Sequence, residues 1–141
     1  MKTRFFLSAL ILVFIQTFLG VASVSAQSVN VSASPSVITN AGDDSTITLT
    51  VFPPSPKNLQ INFLLTGTAA YGADYVLAGQ FTRSGQVLVP AGQTTATLDL
   101  HSFYDDDRPN TFETVVFTLR GGKKYRVGSP SRVEVTIDNV P

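Results

Sequence analysis

The sequence predicts an all-β protein: an immunoglobulin-like antiparallel β-sandwich of about seven strands with Greek-key connections. Two observations carry that prediction. Apolar residues recur at every second position along most of the chain, and no long stretch repeats them at helical spacing. Gly, Pro, Asn and Asp clusters break the alternation at intervals that suit short strands rather than helices.

Val29, Val31 and Ala33 alternate with polar neighbours until Pro35 interrupts them. In "STITLTVF", Ile47, Leu49 and Val51 share one face while Thr46, Thr48 and Thr50 share the other, the pattern of a half-buried strand rich in β-branched residues. "FPPSPK" is a turn, because proline cannot donate to a ladder. Leu59, Ile61, Phe63 and Leu65 resume the alternation up to Gly67. A short strand is expected from Val76 to Phe81, another in "QVLVP", and a turn at "PAGQ". Ala96, Leu98 and Leu100 form the next inward row, then Val115, Phe117 and Leu119, and finally Val133, Val135 and Ile137 in "RVEVTI". Two sheets with interdigitating inner faces bury such rows.

The first 26 residues stand apart. Lys2 and Arg4 precede an apolar run from Phe5 to about Val24, and the small residues Ser23, Ser25 and Ala26 follow. This is the pattern of a secretory signal peptide cut after Ala26. An uncleaved anchor is the competing reading, since about 18 apolar residues span a bilayer; the small-residue exit favours cleavage. Residues 27–141 then form one domain, without internal repeat or low-complexity segment. Without Lys2 and Arg4 the remaining chain is slightly acidic and has no basic stripe for nucleic acid. The absence of cysteine excludes disulfides and lipid-modified cysteine, so the core stands alone or with a bound metal.

Charge is sparse except in "FYDDDRPNTFET", where Asp105, Asp106 and Asp107 are consecutive. Such crowding suits a solvated turn, a catalytic carboxylate cluster or part of a cation site. Catalysis is disfavoured. Acid–base work by paired carboxylates needs pKa values pushed apart and, for glycosides, a cleft with aromatic platforms; the chain has no tryptophan. The single histidine, His101, falls on the outward register of its strand beside Asp99, with no nucleophile motif around it. Neither a phosphate-binding glycine loop nor zinc-ligand spacing occurs.

Four phrases occur in order: "GTAAYGADY", "VPAGQTTATLDL", "YDDDRPNTFETVVFTL" and "YRVGSPSRVEVTID". Together they resemble the Calx-β domain family, over roughly Val29 to Asn139. The resemblance implies a seven-stranded sandwich that binds Ca²⁺ among loops at one end. Carried over residue by residue, the implied ligands are Asp74, Asp105, Asp106, Asp107, Glu113 and Asp138, with the Arg108 carbonyl a lesser candidate. Three positions depart from the family pattern. Asn110 stands where a glutamate is frequent, Asn40 falls near the first-loop acidic position, and the terminal acidic run is reduced to Asp138 and Asn139. The implied site is weakened accordingly, because ligand charge tunes Ca²⁺ affinity.

Each ligand has an ordinary alternative. Asp74 suits a turn before Tyr75, Glu113 a surface ion pair, and Asp43 and Asp44 a hairpin turn. The function expected is a secreted or cell-surface (or periplasmic) non-catalytic module. It would bind Ca²⁺ and contact an extracellular protein or surface polymer. A calcium-independent structural or adhesion sandwich is the alternative. Less favoured is a carbohydrate-binding protein using Tyr71, Tyr75, Tyr104 and Tyr125 as stacking surfaces.

Overall fold

The computed structural model describes residues 26–83, 85–104 and 111–141. Among them are eleven strand segments and no helix. One sheet has the order β10 (Tyr125–Val127), β1 (Gln27–Ser34), β3 (Asp44–Phe52), β8 (Thr95–Ser102), β5 (Tyr75–Gly79). The other runs β2 (Val37–Thr39), β11 (Arg132–Asp138), β9 (Phe112–Arg120), β4 (Leu59–Gly67), β7 (Gln86–Val89), β6 (Phe81–Arg83). No helix of the described residues is long and apolar enough to cross a membrane.

The alternating rows meet between the sheets. Ile47, Leu49 and Val51 of β3 and Leu98 and Leu100 of β8 face Leu59 and Ile61 of β4, Val115 and Phe117 of β9, and Val135 and Ile137 of β11. All are buried. Phe63 and Phe117 stack with ring centroids 4.4 Å apart and planes 17° from parallel. Each fully buried side chain of this size contributes about 1.5–3 kcal/mol of transfer free energy. Without disulfide help, these rows hold the sandwich together.

Two expectations need correction. The stretch expected as one strand from Val76 to Phe81 is two strands in different sheets, β5 and β6. Gly79 permits the change of sheet. Its φ is +128°, and a Cβ there would lie 2.8 Å from the Thr97 carbonyl oxygen of β8. The pairing is also not wholly antiparallel: β1 runs parallel to β10, and β2 parallel to β11. The first alternating segment splits at Pro35, which cannot continue the ladder, so its halves join opposite sheets.

The register sets two ends. Gly67 pairs with Val115 at the end that carries Glu113, and Asn62 pairs with Arg120 at the other. From Glu113 to Arg120 the strand advances roughly 23 Å at 3.3 Å per residue.

Candidate functional site

Three loops and the chain terminus converge at the Glu113 end. Asp74 closes a tight loop before β5. The Asp74 and Ala73 amides both donate to the Ala70 carbonyl, at 2.9 and 3.2 Å, and Gly72 donates to Tyr75 at 2.7 Å. Gly72 has a φ of +87° with open space where a side chain would be, so the turn selects glycine by backbone conformation alone. The Asp74 Oδ2 accepts from the Ala70 amide, so this carboxylate does serve its turn. The Asp74 carbonyl accepts from Phe103, 2.8 Å away, and thereby holds the entry to the acidic run.

The exit is held from the opposite sheet. Asn139 donates its amide to the Thr111 carbonyl at 2.9 Å, and its side chain donates to Thr111 Oγ1 at 3.1 Å. Asp138, half-buried, ends β11 between Thr39 of β2 and Phe112 of β9. Its carbonyl accepts from the amides of Asn40 and Val140, at 3.1 and 3.0 Å. The sheets are tied across this end by Ser102, whose hydroxyl donates to the Thr39 carbonyl at 2.7 Å. An unbroken set of contacts therefore runs from Asp74 through Phe103, Ser102 and Thr39 to Asp138.

Glu113 corrects an alternative. A surface ion pair would put it in water, but it is 3 % exposed and shares the inward row of Val115, Phe117 and Leu119. A carboxylate in that row is costly unless opposed by donors or positive charge. Asn40 and Asn139 are equally buried. Asn40 Oδ1 accepts from the Val140 amide at 3.2 Å, so the position near which an acidic ligand was expected ties down the terminus instead. Their weight as closures of the sandwich was not visible in the sequence. Both lie past the last alternating residue, where pattern carries no information.

Asp105, Asp106, Asp107, Arg108 and Asn110 lie outside the described residues. Among the described residues no three His, Asp or Glu side chains are grouped so as to hold a metal. Asp43 behaves as a turn residue: its Oδ2 accepts from the Thr39 amide and, at 2.7 Å, from the Thr39 hydroxyl, which hold its pKa below the usual 3.8. His101 points outward, as expected, and it meets Asp44 across the ladder. The register sets His101 opposite Asp44, with Nδ1 2.7 Å from Oδ1, while Asp99 accepts from Thr46 at 3.1 Å.

The tyrosines divide. Tyr71 and Tyr104 are exposed, whereas Tyr75 and Tyr125 are 2 % and 5 % exposed and cannot serve as stacking platforms. Tyr75 instead packs edge-on against Tyr71, centroids 5.5 Å apart.

No family model and no curated protein matches the sequence. In three dimensions the chain is similar to the crystal structure of the apo form of the Calx CBD1 domain. The TM-score is 0.56 at 19 % identity, over 77 % of this chain and 95 % of that one. At that identity the likeness speaks for architecture: the chain has a Calx-β-like fold.

Proposed function

We propose that this chain is a secreted or cell-surface, non-catalytic Ca²⁺-binding module. Its ion is held at the loop end by Asp74, Asp105, Asp106, Asp107, Glu113 and Asp138, with Asn110 contributing a neutral oxygen. The cation stiffens the loops for contact with an extracellular protein or surface polymer. The observation that supports this most is the set of contacts joining Asp74 to Asp138 across the two sheets. The residues on either side of the acidic run are fastened to it, through Phe103 and Thr111.

The donor chemistry fits a hard cation. Every candidate is a carboxylate or amide oxygen, the ligand type Ca²⁺ takes at about 2.3–2.6 Å, and no cysteine competes for a softer metal. Packed sheets lie about 10 Å apart, a gap that two aspartate side chains and one ion can bridge. Since Asp74, Glu113 and Asp138 do not by themselves group as a metal site, the acidic run has to supply the remaining oxygens. A cation there also offsets the repulsion among three adjacent carboxylates and the cost of burying Glu113.

A ligand bound only by the folded state raises its stability, by about 2.7 kcal/mol at a hundred times Kd. Thermal melting in a calcium titration is therefore expected to show a rising Tm that is absent in Asp105→Ala/Asp106→Ala. A flat Tm at millimolar calcium would instead favour the calcium-independent adhesion sandwich. The turn bond from Ala70 to Asp74 is the observation on that side.

A further inference from the structure

The other end of the molecule carries a groove unrelated to the acidic loop. It encloses about 470 Å³, inside the roughly 300–1,000 Å³ range of small-molecule sites. Its floor is the outer face of β4 and β7, where Gln60 stands opposite Leu88 and Asn62 opposite Gln86. Its wall is the connection from β9 to β10, which presents Lys123 and Lys124. No aspartate or glutamate is among the described residues that line it.

The groove is a built feature. Gln86 Nε2 donates to Asn62 Oδ1 at 2.9 Å, and Asn62 Nδ2 reaches the Gly121 carbonyl at 3.4 Å, so the floor and the wall are joined. Tyr125 fixes the wall from beneath. Its hydroxyl donates to the Arg120 carbonyl and accepts from the Asn62 amide at 2.8 Å. The ring lies so close under Gly122 that a Cβ there would fall 2.2 Å from it.

We propose that this groove binds an acidic glycan, a sugar chain bearing carboxylates. Side-chain amides pair a donor and an acceptor, which suits the hydroxyls of a sugar, and the two ammonium groups suit its carboxylates. The same inventory argues against other occupants. A neutral sugar or a single-stranded nucleic acid leans on exposed aromatic faces, and the one ring among the described lining residues, Tyr125, is 5 % exposed. Beside that ring, the described lining offers an apolar peptide only Leu88 as a large apolar side chain. Glu113 and the groove stand roughly 23 Å apart along β9, so binding is independent of calcium.

Isothermal titration of the purified chain with hexagalacturonate tests the assignment. Saturable binding is expected, unchanged by EDTA and retained in Asp105→Ala/Asp106→Ala, with none for cellohexaose. Lys123→Ala/Lys124→Ala, at two exposed positions, should weaken it at least tenfold with an unchanged melting temperature. Gln60→Ala should weaken it severalfold, through lost hydrogen bonds rather than lost charge. The proposal is overturned if hexagalacturonate gives no saturable heat or if the double lysine variant binds as well as the parent. It is equally overturned if polyglutamate binds as tightly as hexagalacturonate, because simple attraction between polyions would then suffice.

Discussion

The two ends of the sandwich close their cores by different means. At the groove end a single tyrosine acts as the plug. Tyr125 buries its ring and spends its hydroxyl on two backbone groups, of Asn62 and Arg120. At the loop end a ring is buried as well, that of Tyr75, but polar side chains share the closure. Asn40, Asn139, Ser102 and Glu113, all buried, close the core with polar atoms. An aromatic plug is self-sufficient, because its apolar area and two hydrogen bonds satisfy it without a ligand. A polar plug stays comfortable only while every donor and acceptor is matched, and Glu113 adds a charge to be matched. The difference teaches where a bound ion would matter: among the described residues the loop end carries a buried carboxylate, Glu113, and the groove end carries none.

The largest expected effect comes from breaking the self-sufficient end. Gly122→Ala would push a methyl group into the Tyr125 ring, whose three nearest atoms would lie 2.2–2.9 Å away. The ring cannot retreat without giving up both hydrogen bonds of its hydroxyl, so a destabilisation of about 3 kcal/mol is expected in urea unfolding, near the top of the range for overpacking. Calcium should stabilise this variant and the parent equally and leave the difference between them unchanged, since the damage is at the far end. A difference that shrinks in calcium would mean that the ends are not separate.

The intermediate effect is at the loop end. Asn40→Ala removes the acceptor for the Val140 amide at a fully buried position. The Val140 amide keeps its bond to the Asp138 carbonyl, so the loss is that of one hydrogen bond, about 0.5–1.5 kcal/mol. Unlike Gly122→Ala, this variant should also bind calcium more weakly, because Asn40 Oδ1 holds the Val140 amide, which also donates to the carbonyl of Asp138 and so helps to place that residue. Calcium-dependent melting of the two variants side by side measures the contrast. Equal calcium responses would show that Asn40 closes the core and does nothing for Asp138.

How much of this was legible in the sequence follows the same division. The strands were legible because burial imposes a period of two, and rows such as Ile47, Leu49 and Val51 obey it. The split of the 76–81 stretch was not, because alternation continues through a change of sheet and only the +128° φ of Gly79 betrays it. The Calx-β-like architecture was legible from ordered phrases, although at 19 % identity they speak for shape more than for chemistry. Individual roles at the loop end were harder. Asp43, Asp44 and Asp74 are the same residue type within short loops, yet one caps Thr39, one meets His101 and one holds Ala70. Those assignments depend on which strands are neighbours, and that information is long-range. The groove was invisible for the same reason: Asn62, Gln86 and Lys123 are far apart in the chain and meet only through β4–β7 and β4–β9 pairing.

The smallest expected effect separates the ends by pH. Tyr75 and Tyr125 both have phenols held above the ordinary 10.0, in each case chiefly by burial. The unfolded chain therefore ionises these phenols first. Stability is intact below pH 10 and is lost as pH rises through the higher folded-state values. The secondary causes differ. The charge of Asp74 raises Tyr75 further, whereas the hydrogen bond from Asn62 pulls Tyr125 back down. A calcium ion beside Asp74 would offset that negative charge, so calcium should lower the pKa of Tyr75 and leave that of Tyr125 where it is. Ultraviolet titration of Tyr75→Phe and Tyr125→Phe, each with and without calcium and each in a chain whose Tyr71 and Tyr104 are also replaced by phenylalanine, isolates the two phenols. A calcium-induced downward shift is expected in Tyr125→Phe, which retains Tyr75, and none in Tyr75→Phe. A shift in both variants would mean that the ion acts on the whole fold, and a shift in neither would place no cation near Asp74.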